Sequence, residues 1–316
     1  LPNALPPNTL PPFVPMPTSL TVAFQGVLGA YSEEATRCLY PGAALQPLDA
    51  FADVFAAVEN GTAARAVVPI ENAVFGSVSI NYDHLRAHAI TIVGEAHLRI
   101  HHHLMAPAGA DVSRLRLVRS HPQALGQCRT SLHTLAPQAS TEAAYDTAGA
   151  ARDVAEAADP TVAAIASRRA AERYDLTVLA TGLEDNPQNY TRFLALAPAG
   201  ADATVPEGAP EDAAAKTSVA FTLRQNVPGA LFKSLAVFAL RELDLFKIES
   251  RPLVGHPGHY VFYLDVGGAA SEPAVERALS HLSEITTELH VLGTYPQGVR
   301  YDGLHDAPAA ASSPAS

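Results

Sequence analysis

The chain has 316 residues, enough for about two domains, and 48% of them are hydrophobic, so large cores can be buried and wholesale disorder is excluded. A formal charge of −11 provides no general attraction to phosphate, which excludes the nucleic-acid binders. The lysines, Lys216, Lys233 and Lys247, all lie in the last third, so Schiff-base and P-loop lysine chemistry is excluded from the first 215 residues.

Two cysteines, Cys38 and Cys128, make neither a disulfide framework nor a zinc cage. No apolar run reaches the length of a membrane span, and residues 1–20 carry no Lys or Arg, unlike a signal or transit peptide. A cytoplasmic location is therefore expected, with no membrane and no nucleic-acid partner.

Residues 1–19 read as a Pro-rich, unpacked lead-in; Met16 leaves open whether 1–15 belong to the native chain. From Thr21, β-branched runs alternate with Ala-rich amphipathic stretches. Strands are expected at 21–25, 65–69, 90–105, 115–119, 139–142, 162–166, 176–180 and 191–197, and helices at 31–40, 50–60, 78–88, 122–135, 146–158 and 167–174. The alternation predicts an α/β domain with mostly parallel sheet. Residues 90–105 are too many for one ordinary strand, so the segment is expected to leave one sheet and enter another, with 191–197 as the returning crossover. Two lobes joined in this way leave a cleft for a small ligand.

A Pro/Gly/Ala/acid linker follows at 198–215. Beyond it, strand 217–224, helix 229–243, strands 246–252 and 259–266, helix 272–285 and strand 288–294 form a βαββαβ, ferredoxin-like unit spanning 216–298. Residues 299–316 read as a loose tail.

Each candidate site has a plain reading beside the functional one. Gly26-Val-Leu-Gly29-Ala-Tyr-Ser32 opens a helix and could receive an anion, or be a capped turn. Val68-Pro-Ile-Glu71-Asn72 ends a strand where ligands bind in open α/β sheets, or caps a turn. Ser120-His-Pro-Gln-Ala-Leu-Gly-Gln127 runs from strand to helix, and capping by Ser120 would account for its hydroxyl. Thr191, in Asn189-Tyr-Thr-Arg-Phe193, would project at the hinge or be an ordinary strand residue. His101-His-His103 is read as a partly exposed strand, since two imidazoles on one face without acidic neighbours make a poor metal site. Cys38, Cys128 and His121 are read as structural.

Taken together and in this order, P-I-E-N, N-Y-D-H-L-R at 81–86, S-H-P-Q-A-L-G-Q-C, T-R-F, E-S-R-P and V-L-G-T-Y-P at 291–296 resemble the prephenate dehydratases and the similar plant arogenate dehydratases, over roughly residues 20–298. The resemblance implies a two-lobed catalytic domain of periplasmic-binding-protein type (20–197), then a regulatory ACT domain. It implies a cofactor-free reaction with no metal, in which prephenate loses its ring carboxylate and ring hydroxyl to give phenylpyruvate, CO2 and water. It places Thr191, Glu71, Asn72, Ser120 and Gln127 in the catalytic set and Ser32, Arg192 and Phe193 at the substrate. Thr191 is then a positioned hydroxyl donor to the departing hydroxide.

Two positions depart from the family pattern: Ala73 stands where Ser is common after P-I-E-N, and Ala30 stands where the glycine loop usually carries a hydroxyl. The resemblance also implies feedback inhibition by L-phenylalanine. Gly229, Ala230 and Leu231 form one effector motif, with Phe232 in place of a usual Val, and Glu249, Ser250, Arg251 and Pro252 form the other. A homodimer or homotetramer is expected, and removing the chain after about 215 is expected to keep basal activity and abolish inhibition. Arogenate dehydratase and a non-catalytic amino-acid sensor are the alternatives.

Overall fold

The structure, a computed structural model, describes residues 20–201, 204–210 and 212–303; the Pro-rich lead-in and the tail beyond 303 lie outside them. The chain opens with β1 (Thr21–Gln25), α1 (Tyr31–Leu39), β2 (Ala44–Leu48), α2 (Phe51–Glu59), β3 (Arg65–Asn72), β4 (Gly76–Ser77), α3 (Ser79–Ala87) and β5 (Ile90–Arg99). Next come β6 (His103–Ala106), β7 (Leu117–Ser120), α4 (Pro122–Gln127), α5 (Arg129–Leu135), β8 (Ser140–Ala143), α6 (Thr147–Ala157), β9 (Val162–Ala166), α7 (Arg168–Arg173), β10 (Thr177–Thr181) and β11 (Tyr190–Pro198). The C-terminal unit is β12 (Ala215–Leu223), α8 (Ala230–Ala239), β13 (Leu245–Pro252), β14 (Tyr260–Gly267), α9 (Pro273–Ile285) and β15 (Thr286–Pro296), and β16 (Arg300–Tyr301) follows it.

Lobe one is built on the sheet β16-β5-β11-β3-β1-β2, with β4 on β3, and lobe two on β10-β6-β9-β7-β8. The C-terminal sheet, β13-β14-β12-β15, has the ferredoxin-like order. The two-lobed α/β plan followed by a βαββαβ unit is thus the architecture. The lobe sheets are mixed, not mostly parallel: β1 pairs in parallel with β2 and β3, whereas β11 runs antiparallel to β3 and β5. Lobe two repeats this, with β6 antiparallel to β9 and β10.

Residues 90–105 do change sheets, through a break at 100–102 between β5 and β6. The return differs from expectation. β11 lies wholly in lobe one, and the crossing is made by 182–189, after β10 has paired with β6. β2 escaped the sequence reading because A-L-Q-P-L has no β-branched residue and contains Pro47, which is tolerated because β2 is an edge. The helix expected at 122–135 breaks at Cys128, where the Asp185 carboxylate accepts the N–H groups of Thr130 (2.9 Å) and Ser131 (3.0 Å) and starts a new helix.

The C-terminal unit is not an appendage. Ala220, Val261, Tyr263, Leu292 and Tyr295 share one buried cluster with Val68, Ile70, Ile92, Leu194 and Leu196 of lobe one. At the crossing of β15 over β5, Gly293 is required, because a Cβ there would overlap the Ile92 carbonyl oxygen. The expected loose tail is corrected at its start: Arg300 and Tyr301 pair in parallel with His97 and Leu98 of β5. The linker also packs, Gly208 N–H donating to the Leu39 carbonyl (3.0 Å). Removing everything after 215 would strip β16 and uncover the shared core, so such a truncation is expected to lose stability as well as inhibition.

Burial of imidazoles sets an acid limit. Burial holds His97 and His103 down to about 4. Unfolded imidazoles titrate at about 6.5, so between about 6.5 and 4 the unfolded chain takes up protons that the folded one refuses, and stability falls as pH drops through that window. Glu95 adds a second loss below it: burial opposes its charge, but Arg192 and Lys216 hold it down to about 2, so its contribution fades as pH falls from 4.5. The melting temperature is expected to start falling near pH 6.5 during acidification. A melting temperature that stays flat from pH 6.5 to 4 would contradict this.

Candidate active site

The cleft between the lobes has a volume of about 450 Å3 and is lined by lobe one, lobe two and the hinge. Lobe one supplies the β1–α1 loop and the first turn of α1 with Ser32, the end of β3 with Asn72, and residues 75–78; lobe two supplies α4 with Gln127 and the start of α6. β11 of lobe one adds Thr191 and Phe193, and the crossing between β5 and β6 adds His102. Among the described residues no Lys or Arg lines it, and the ionisable side chains that do are those of Tyr31, His102, His121, Tyr145 and Asp146.

Strand alternation sorts the expected residues. Thr191 lies opposite Asn72 and Arg192 opposite Glu71 in the β11–β3 ladder, so neighbours in sequence face opposite sides of the sheet. Asn72 and Thr191 face the cleft, and Asn72 Nδ2 donates to Thr191 Oγ1 at 3.0 Å. The Thr191 oxygen is thereby anchored, which leaves its own proton to be donated into the cleft.

Glu71 and Arg192 face the other way, which corrects both assignments. Glu71 pairs with Lys247 of β13 at 3.0 Å. Arg192 donates through Nε to Glu95 (2.7 Å) and through its terminal nitrogens to Asp265 (2.6 Å) and Tyr295 (3.1 Å), so it joins lobe one to the C-terminal unit instead of touching substrate. Burial opposes its charge, yet Asp265 beside it keeps it protonated far above the usual range. Phe193 returns to the cleft face and shares a buried cluster with Val22, Val67 and Leu98.

Ser120 is corrected as well. It is fully buried, its hydroxyl donates to the Ile165 carbonyl (2.6 Å), and it does not line the cleft. The cap of α4 is His121, whose Nδ1 accepts from Gln123 N–H (3.3 Å). Ser32 does line the cleft, but the anion expected at this loop meets competition, since Gly29 N–H already donates to Glu33 (2.6 Å). Glu33 is itself buried between Arg37 and Arg169 and bridges the lobes.

Gln127 is joined to the site by residues that the sequence reading left out. Asn189 Nδ2 donates to Gln127 Oε1 (3.0 Å), and Asn189 Oδ1 accepts from Asn72 Nδ2 (2.9 Å). His102 Nε2 lies 2.6 Å from Gln127 Oε1, and its Nδ1 lies 2.9 Å from the Tyr31 hydroxyl. His102 and His103 are buried while His101 is half-exposed, so the partly exposed reading of the histidine run holds for His101 and is overturned for the other two. The available signal was three polar ring residues inside an otherwise apolar strand segment at a sheet change.

In the C-terminal unit, Glu249 and Arg251 face the catalytic lobe. Glu249 accepts from Ser77 Oγ (2.6 Å), a cleft-lining residue, and Arg251 donates to Asp83 (2.6 Å). Ser250 and Pro252 alternate to the exposed side of β13. Gly229 takes a left-handed conformation (φ 82°) as the cap of α8, with Ala230 and Leu231 beginning the helix.

Residues 22–201 match the family model described as prephenate dehydratase. The chain is 43% identical over 305 residues to arogenate dehydratase/prephenate dehydratase 2, chloroplastic, of Arabidopsis thaliana, covering 94% of this chain and 78% of that one. Its structure is similar to the prephenate dehydratase of Arthrobacter aurescens solved in complex with L-Phe, with a TM-score of 0.79, 32% identity and coverage of 92% and 93% of the two chains. It is also similar to GqqA, described as a novel type of quorum quenching acylase, with a TM-score of 0.79, 34% identity and coverage of 88% and 98%. The chain belongs to the prephenate dehydratase family and is a carbon–oxygen lyase of that family.

Proposed function

We propose that the chain converts prephenate to phenylpyruvate, CO2 and water. The observation that carries the reading is the Asn72–Thr191 pair, which presents one hydroxyl proton to a cleft without Lys or Arg. Loss of the ring carboxylate as CO2 pushes electrons into the ring and expels hydroxide, which needs a strong hydrogen bond as it leaves and becomes water by taking a proton from solvent. Thr191 supplies that hydrogen bond, because a threonine hydroxyl is too weak an acid to be left as an alkoxide. The substrate's carboxylates meet amide and hydroxyl donors and the start of α1, where backbone N–H groups favour anions, whereas the start of α6 is already capped by the Asp146 carboxylate. Acyl hydrolysis is not assigned, since Thr191 has its oxygen against an amide N–H and not a base.

Arogenate is the second reading, favoured by the names of the plant relatives. Turnover of both compounds by one preparation decides between them: phenylpyruvate is expected from prephenate, and a larger kcat/KM on arogenate would reverse the assignment. Cell fractionation tests the expected cytoplasmic location against a chloroplast one. Among the described residues no helix is long and apolar enough to cross a membrane.

The C-terminal unit is proposed as an ACT domain that binds L-phenylalanine near Gly229–Leu231 and Glu249–Pro252. Support comes from the Glu249–Ser77 bond, which runs from the second motif to the cleft wall. L-Phenylalanine is expected to weaken substrate binding about 5- to 150-fold, the usual range of allosteric coupling. Unchanged kinetics at saturating phenylalanine would remove the proposal. A homodimer or homotetramer is proposed through the exposed Phe232, Leu240, Phe246 and Ile248. Light scattering of the full chain should give a multiple of the monomer mass of 33.2 kDa.

A further inference from the structure

The buried histidine of the hinge has no part in the chemistry above, yet it ends a hydrogen-bond chain whose direction can be worked out. Val74 and Phe75 N–H donate to one side-chain atom of Asn72 (2.9 and 3.0 Å), so that atom is Oδ1 and the other is Nδ2. Nδ2 donates to Asn189, which makes the receiving atom Oδ1 and leaves Asn189 Nδ2 facing Gln127. The Gln127 atom that receives Asn189 Nδ2 is therefore Oε1, an acceptor with one place left. His102 Nε2 fills that place at 2.6 Å, which it can do only as a donor.

We infer that His102 is a positioning residue for the dehydration, held with its proton on Nε2, and that through Gln127 and Asn189 it reinforces, together with the Val74 and Phe75 N–H groups, the Asn72 orientation that frees the Thr191 proton for the cleft. Reversal of any one amide in the chain would set donor against donor. If Asn72 were reversed, its oxygen would accept the Thr191 proton and remove it from the leaving group.

The ring is held from every side. Its backbone N–H donates to Glu184 (2.9 Å), and the same carboxylate meets His101 Nδ1 (3.1 Å). Tyr31 stands edge-on to the imidazole, and its hydroxyl, 2.9 Å from Nδ1, also lies 2.7 Å from the His101 carbonyl. Burial holds the His102 pKa below its ordinary value, so the ring is neutral near pH 7, and with Nε2 protonated a bare Nδ1 shares the one Tyr31 hydroxyl proton with the His101 carbonyl.

The inference rests on the dehydratase reading, so turnover of the wild-type chain is measured first; if neither prephenate nor arogenate is consumed, that reading fails. Given an active wild type, His102→Asn, which removes the donor to Gln127, is expected to lower kcat on the order of 10- to 100-fold with KM little changed, the scale of a misplaced catalytic group. His102→Gln, which puts an amide N–H near the Nε2 position, should recover most of that loss. In the double variant with Gln127→Ala, removing His102 should cost nothing further, because it acts through Gln127. Fully additive losses, or equal losses in the Asn and Gln variants, would overturn the inference. Nitrogen-15 histidine NMR of the wild type reads the tautomer without any substitution. Protonated Nε2 with bare Nδ1 is expected, and the opposite tautomer would overturn the inference even if the variants fail to fold.

Discussion

Thr191→Val is expected to lower kcat roughly 100- to 1000-fold, the cost of losing one preorganised donor to developing oxyanion charge. The substitution keeps the β-branched shape that suits β11 and removes only the hydroxyl. Asn72 Nδ2 still has Asn189 Oδ1 as an acceptor, so no buried donor is stranded and the stability cost should be about 1 kcal/mol. KM should change little, because the hydroxyl matters most as the hydroxide departs. Phenylpyruvate absorbance in alkali reads the rate directly. A folded variant with near-normal kcat would exclude Thr191 as the donor. Thr191→Ser should restore part of the loss, since the oxygen can again accept from Asn72 and donate to the cleft.

Arg192→Leu, one residue along the same strand, should instead affect stability. Glu95 is 1% exposed and Asp265 8%, and Arg192 donates to both. Lys216 still pairs with Glu95 in the variant, but Asp265 keeps only the Ser218 hydroxyl among its side-chain partners. Removing one partner from a buried ion cluster typically costs about 3–5 kcal/mol, because a charge is left without compensation. If Arg192 bound substrate instead, the variant would keep its melting temperature and raise KM. Arg192→Lys is expected to rescue poorly, because one ammonium cannot span the carboxylates and Tyr295 that the guanidinium fork reaches.

These adjacent residues show how far the sequence carries. T-R-F and P-I-E-N mark two strand ends as functional, and on the sequence alone all their polar residues are candidates. Whether Thr191 and Asn72 share a face depends on the register of β11 on β3, two strands more than a hundred residues apart, and no local pattern encodes that pairing. Once the register is known, period-two alternation sends Glu71 and Arg192 to the C-terminal unit. Ser120 misled for a similar reason: a serine before a proline-led helix looks like a cap, but the fully buried strand end turns its hydroxyl onto Ile165.

The lysine-free first 215 residues take on a clearer meaning. Their boundary falls at β12, and the first lysine after it, Lys216, is used at once to pair with Glu95 of lobe one. Helices and strands were legible because apolar periodicity and turn residues act locally, and the βαββαβ order followed from them. What only the tertiary structure decided was long-range: where the chain crosses between lobes, which side of the shared sheet each motif residue faces, and that β16 returns to lobe one. It also decided that a run of three histidines, polar and unpromising in sequence, places one imidazole at the end of the amide chain behind Thr191. Those choices depend on burial and on donors and acceptors that meet only when distant segments pack together, so they belong to the fold and not to any window of the sequence.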